Sequence, residues 1–245
     1  MKYRWTYLDP RGKLFIRSKP YYSFGSSLHI VLQRFHDEGD IGVSTVDQAV
    51  SKLEESWITA GYSSPEEAAE ALAEGRELIA QYIEDYQSRP ATARSLYVEK
   101  QFRDDLGPFI LIGRIDRIDE HEDGTIEIVD YKSGREKTSI EEIQNDLAMN
   151  CYQLLVRSKM PERKVVSTIV ALRTNHSISF EPSEEDLKQF RQDLIQVGTE
   201  IIKRDYDEVR PTAKPICPTC DFLPLCLKDE TFAYEFNELE KVEQS

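Results

Sequence analysis

Gly113-Arg-Ile-Asp-Arg-Ile-Asp119, followed after a polar run by Ile126-Glu-Ile-Val-Asp-Tyr-Lys-Ser-Gly134, decides how this chain is read. Both stretches are rich in β-branched residues, and Glu120-His-Glu-Asp-Gly124 between them is turn-forming, so together they predict a β-hairpin. Side chains on a strand repeat every two residues, which puts Ile126, Ile128, Asp130 and Lys132 on one face. Asp130 and Lys132 are then neighbours ~6.6 Å apart on an otherwise apolar surface. A hairpin centred near Glu122 sets Asp116 opposite Ile128 and diagonal to Asp130, about 7–8 Å away. Two carboxylates can be bridged by a divalent cation, and an ammonium beside them can hold a water or a developing anion. That combination suits hydrolysis of a phosphodiester.

Asp-x-Lys on a strand is by itself a common solvated ion pair. Gly-x-x-Asp on the preceding strand makes three convergent groups, which accident supplies less readily. Gly113-Arg-Ile-Asp116 followed by Asp130-Tyr-Lys132-Ser-Gly134 resembles the core of the PD-(D/E)XK nucleases, in the RecB-like branch that includes helicase-linked exonucleases and CRISPR adaptation nucleases. The resemblance implies an α/β fold, a mixed central sheet flanked by helices, with a helical insertion at about 44–90. It spans scattered motifs over roughly residues 20–230.

The chain has 245 residues, of which 40% are hydrophobic, enough for one large domain with a buried core. The expected organisation is a nuclease-like domain over 1–230, with a cysteine tail at 211–227 and an acidic C-terminal tail over 231–245. No apolar run approaches the ~18 residues of a membrane span, and no signal-peptide core opens the sequence, so a cytoplasmic location with no membrane partner is expected. A net charge of −14 argues against indiscriminate coating of DNA. Its distribution softens the objection. Residues 1–34 hold seven Lys/Arg against Asp9 alone, 94–173 hold 13 basic and 15 acidic groups, and the excess lies after 173, with 8 basic against 16 acidic.

Residues 1–20 interleave aromatic and basic side chains, a pattern that suits either nucleic-acid contact or a core-anchoring first element. Tyr22 to His36 reads as a helix capped by Ser26 or Ser27, with Leu28, Val31, Leu32 and Phe35 as its apolar stripe. His29 adjoins that stripe as an ordinary packed residue would. Phe24-Gly-Ser-Ser-Leu-His29, however, is similar to the family's first motif, which implies that His29 is a metal ligand. Ser64-Pro-Glu-Glu67 opens a further helix in 44–90. Ser95–Arg103 reads as a strand. Its Glu99 matches the glutamate that precedes the family's Gly-x-x-Asp strand, and it either orients the attacking water or pairs with a lysine. Ser139-Ile-Glu-Glu142 is a capping box for a helix to about Ser158, with Ile143, Leu147, Asn150, Cys151, Leu154 and Leu155 on its inner side. The family's Gln-x-x-x-Tyr is half present. Tyr152 supplies the tyrosine, Ala148 stands where glutamine is expected, and Asn145 or Asn150 could substitute in substrate contact. Lys164–Arg173 and Ser177–Phe180 read as paired strands, and Ser183 starts a helix to about Arg204.

Cys217-x2-Cys220-x5-Cys226, set among prolines, holds three thiols close together and suits a [4Fe–4S] cluster or zinc better than disulfides. The tail resembles that of RecB-like nucleases with an iron–sulfur staple, whose fourth cysteine lies ahead of a segment like Tyr3–Tyr7. No cysteine precedes Cys151, so Met1 is expected to be a late start or a truncation.

The resemblance implies a divalent-metal-dependent deoxyribonuclease in repair or recombination, acting on DNA that is single-stranded or has a free end. Asp116, Asp130 and His29 would hold Mg²⁺ or Mn²⁺, with the Tyr131 carbonyl as a further candidate. Lys132 would position water and stabilise the phosphate's charge, with Glu99 and Tyr152 completing the catalytic set. With no P-loop in the chain, any helicase motor would be a separate subunit. The competing class is a non-catalytic DNA-binding or scaffold module that keeps the fold. A zinc-dependent interaction protein organised by the tail is a third reading.

Overall fold

A three-stranded meander, one crossover and a closing hairpin order the sheet of the computed structural model, which describes residues 1–37, 42–90, 92–134 and 139–243. The chain forms two compact units, residues 19–200 and residues 1–18 with 201–245.

In the larger unit, β1 (Ala93–Asp105), β2 (Ile110–His121) and β3 (Ile126–Lys132) form an antiparallel meander. Helices α4 (Ile140–Asn145) and α5 (Leu147–Lys159) then carry the chain to β4 (Val165–Ala171), which pairs parallel with β3. The antiparallel β5 (His176–Phe180) completes a five-stranded sheet in the order β1-β2-β3-β4-β5. Parallel neighbours need a long crossover, and the two helices provide it.

Alternation along β3 serves two cores. Ile126 and Ile128 pack with Ile143, Met149 and Leu155 of α4 and α5, while Val129 and Tyr131 pack against α1 (Pro20–His36), α2 (Val46–Glu55) and α3 (Pro65–Ser88). The expected mixed sheet flanked by helices is therefore the observed architecture, and α2 and α3 fill the segment read as a helical insertion.

Three local expectations are corrected. The hairpin is centred on Asp123, not Glu122. His121 N–H donates to Thr125 O at 2.9 Å, Gly124 N–H to His121 O at 2.9 Å, and Gly124 takes φ +85°, the left-handed close of a three-residue loop. Ile118 therefore pairs with Ile128 and Arg117 with Val129, so Asp116 stands one step beyond the last pair, as does Asp130. Helix α1 begins at Pro20 with Lys19 as its cap. Ser26 and Ser27 are interior, and the Ser27 hydroxyl donates to Ser23 O (2.8 Å) and accepts from Ile58 N–H (3.0 Å). The helix expected from Ser139 to Ser158 breaks at Asp146, whose carboxylate caps α5 through Met149 N–H at 2.9 Å. The break changes the helical phase, leaving Leu147 exposed and burying Met149, Gln153, Leu155 and Val156. Helix α6 (Glu184–Lys203) follows β5.

The smaller unit has its own apolar cluster of Trp5, Phe222, Leu225, Cys226, Phe232 and Phe236. Arg4 ties its two chain segments together through Tyr206 O (2.8 Å) and Asp207 (2.8 Å). Trp5 is buried in that cluster, so this part of the aromatic–basic N-terminal run anchors a core. The short helix α7 (Leu223–Cys226) precedes α8 (Glu230–Glu243), which buries Phe232 and Phe236. The stretch expected to be an acidic tail from 231 is thus helical to Glu243, and residues 244–245 lie outside the described residues.

Candidate active site

Two glycines let the elements of the site approach one another. A Cβ on Gly113 of β2 would lie 2.7 Å from Leu155 Cδ1 and 3.1 Å from Tyr152 Cε1, so any larger residue would force these α5 side chains to shift. A Cβ on Gly25 of α1 would lie 3.0 Å from the hydroxyl of Ser133, next to Lys132. The space left between α1, α3 and the strand ends is a cleft of about 1150 Å³, lined by His29, Glu99, Asp116, Asp130, Lys132 and Tyr152 among others.

His29, Glu99 and Asp116 offer ligand atoms that all lie within 4.8 Å of one another. The imidazole has a fixed role for each nitrogen. Nε2 donates to the Tyr131 carbonyl at 3.1 Å, which leaves Nδ1 facing Asp116 Oδ1 (3.4 Å) and Glu99 Oε1 (3.7 Å). Burial works against a charge on this ring, but hydrogen bonds to Asp116 and Glu99 outweigh it and push its pKa up to about 10. A protonated imidazole here stands where a cation between the carboxylates would stand. Asp116 Oδ2 accepts the Tyr131 backbone N–H at 2.9 Å.

Asp130 lies outside that donor set. Its Oδ2 is 2.8 Å from Lys132 Nζ, and apart from this ion pair the buried oxygen has no hydrogen-bond partner. Burial, opposed by Lys132 and reinforced by Asp116, pushes the Asp130 carboxyl up to about 6. Burial also works against the charge of Lys132, but the Asp130 carboxylate more than offsets it, and the ammonium is held above its ordinary value. Tyr152 reaches the cleft with its phenol held protonated, by burial first and then by the nearby Asp130 and Asp116 charges.

The structure thus brings all six of the expected residues into one cleft, and the tight three-ligand set contains Glu99 in place of Asp130. The Tyr131 carbonyl, a candidate ligand from sequence, here orients His29. Asn145 and Asn150 do not line the cleft, because their amides donate to carbonyls of the α4–α5 junction at Glu141, Gln144 and Asp146. Sequence reasoning also missed two arginines. Arg114 Nε contacts Glu99 Oε2 at 2.6 Å, and Arg173 Nε donates to Ser133 O at 2.6 Å while its guanidinium lies 4.7 Å from the Phe24 ring centre. Arg114 stands inside the Gly-x-x-Asp motif and Arg173 just after a strand end, which were the available signals.

A hard divalent cation takes oxygen ligands and tolerates imidazole, and this donor set, beside a buried carboxyl and an ammonium, fits one. The cysteines are different. All three thiols are free and belong to the apolar cluster of the smaller unit, and Cys217 Sγ accepts Lys214 N–H at 3.3 Å. Among the described residues they do not form a set within 4.8 Å, whereas tetrahedral zinc at ~2.3 Å from each sulfur needs sulfurs about 3.8 Å apart.

A mixed sheet flanked by helices, with its carboxylates, histidine and lysine gathered in one cleft, defines a restriction-endonuclease-like core. The model of the PD-(D/E)XK nuclease superfamily matches residues 1–227, and the chain belongs to that superfamily. Its members are usually nucleases that use divalent metals. Comparison with curated proteins finds no match. Among the described residues, no helix is long and apolar enough to cross a membrane.

Proposed function

We propose that the chain is a divalent-metal-dependent deoxyribonuclease of the RecB-like branch. It acts as an exonuclease on DNA that is single-stranded or has a free end, in repair or recombination in the cytoplasm, with any helicase motor on a separate chain. The observation that carries this reading is the His29–Glu99–Asp116 donor set in the same cleft as the Asp130–Lys132 pair. Asp116, Glu99 and His29 would hold Mg²⁺ or Mn²⁺, with Asp130 beside them. The ion when bound supplies Lewis acidity and neutralises charge on the phosphate. Lys132 holds the attacking water and balances the charge that develops as the new P–O bond forms and the old one breaks. Tyr152, kept as a phenol, offers a hydrogen-bond donor to the substrate.

Single-stranded substrate is supported by Tyr21 and Tyr22, largely exposed side chains that line the same cleft and suit stacking on bases. We read Cys217, Cys220 and Cys226 as three ligands of an iron–sulfur cluster in the smaller unit, in keeping with three free thiols in one apolar cluster. A second reading, DNA binding or scaffolding without cleavage, is favoured by Glu67 and Glu70, which give one wall of the cleft acidic groups beside the Glu74–Arg173 ion pair.

Incubation with end-labelled single- and double-stranded DNA in Mg²⁺, Mn²⁺ or Ca²⁺ separates the two. Stepwise shortening of single strands in Mg²⁺ or Mn²⁺ but not Ca²⁺ is expected. Binding without cleavage in every metal would establish the second reading instead.

A further inference from the structure

Asp116 and Asp130 are each followed by a residue that strand alternation sends to the opposite face of the sheet, Arg117 and Tyr131. Both side chains end in the core beneath α1 and α3. The charge of the buried Arg117 is met by Asp119, with Nε 3.0 Å from Oδ2, and the other Asp119 oxygen accepts from Ser95 Oγ at 2.9 Å. Nη1 of Arg117 lies 2.5 Å from the Tyr131 hydroxyl and 2.8 Å from that of Tyr82, and these hydroxyls are 3.0 Å apart. His36 Nε2 closes the group at 2.8 Å from the Tyr82 hydroxyl.

Tyr131 is also the residue whose backbone serves the cleft. Its N–H donates to Asp116 and its carbonyl accepts from His29. Tyr131 is paired with Val170 of β4, but the β2–β3 ladder stops at Arg117 and Val129, so on the β2 side strand pairing does not hold it. Arg117 does, through the phenol. A buried ion pair is a poor stabilising device, since apolar residues of similar volume often serve as well or better. Its use here is geometric.

We propose that Arg117 is a positioning residue that sets the angle of the His29 and Asp116 side chains by holding Tyr131 from the far side of the sheet. The inference rests on the reading that His29 and Asp116 bind the metal. Calorimetric titration of the full chain with Mn²⁺ tests it, run with Tyr131→Phe, Arg117→Met, Arg117→Met/Asp119→Leu and the control Leu53→Ala. Leu53 belongs to the same core but has no part in this hydrogen-bonded network.

For each variant that is folded by circular dichroism, loss of the phenol or guanidinium should weaken Mn²⁺ binding at least fivefold. The Mn²⁺ needed for half-maximal cleavage should shift by the same factor. Leu53→Ala should lower Tm and leave Mn²⁺ affinity within twofold. Parental affinity in Tyr131→Phe and in the double variant, or an equal loss in Leu53→Ala, would overturn the positioning role alone. A parent that binds no Mn²⁺ would overturn the metal reading beneath it.

Discussion

Glu99 and Asp116 face one another at a step that the β1–β2 ladder omits, between the pairs Val98↔Arg117 and Lys100↔Ile115. Glu99 adopts φ +50° there, a left-handed conformation for a non-glycine residue inside a strand. Such strain persists where the surroundings over-determine it, and it gathers at functional sites. Here it turns the carboxylate toward His29 and Arg114.

Replacing Glu99 separates the backbone from the carboxylate. Glu99→Gly accepts a positive φ without penalty, whereas Glu99→Ala keeps the strain and loses the ion pairs. Urea unfolding should show Glu99→Gly to be more stable than Glu99→Ala by about 1 kcal/mol, while both lose metal-dependent cleavage. Equal midpoints would mean that the strand is relaxed at this residue.

Gly113→Ala tests the approach of α5. The added methyl meets Leu155 and Tyr152 closer than van der Waals contact, and overpacking of this kind costs about 1–3 kcal/mol. Unfolding midpoints should fall accordingly. Gly113→Ala/Leu155→Ala should recover part of the loss expected from adding the two single effects, because the methyl then fills the space that leucine vacates.

Much of this site was legible because strand alternation is robust. Ile126, Ile128, Asp130 and Lys132 share a face whichever residue the turn is centred on, and the two-residue register error preserved the faces while misplacing Asp116. The error came from the turn, where Gly124 closes a loop that composition alone does not centre. The start of α1 was misread because two serines are good caps, but Pro20 at the first helical position lies ahead of them. The break at Asp146 hides in an apolar pattern that runs on across it. Neither the φ of Glu99 nor the union of Arg117, Tyr82, His36 and Tyr131 had a local signature, since each arises only when the sheet meets α1 and α3.

Asp130 and Lys132 should be separable from folding. Asp130→Ala and Lys132→Ala should each lower cleavage by about 10²–10³ or more while keeping the parental circular dichroism. Asp130→Asn should go further and stabilise the metal-free protein. The Asp130 carboxyl titrates at about 6 in the fold against 3.8 when unfolded, so ionising it weakens the folded state as pH rises from about 4 to 6. The stability advantage of Asp130→Asn should therefore be absent below pH 4, grow through that window, and level off above pH 6 at no more than roughly 3 kcal/mol. Saturating Mn²⁺ should shrink that advantage, because a cation held beside Asp130 favours the ionised carboxylate of the parent.

Metal binding should compete directly with a proton on His29. The ring holds a proton up to about pH 10 in the metal-free site, and Nδ1, the nitrogen facing the carboxylates, must lose it to act as a ligand. Below that pH the apparent Mn²⁺ affinity should rise about tenfold for each pH unit, one proton being released per ion bound. Titrations at pH 8 in two buffers of different ionisation enthalpy count that proton directly, since the observed heat differs by the heat of protonating the buffer. His29→Ala should bind Mn²⁺ more weakly at pH 9 and lose this slope between pH 7 and 9, because the proton that the ion displaces is gone with the ring. A parental affinity that is already flat over that range would mean that the ion displaces no proton from His29, which would overturn the competition between proton and metal at Nδ1.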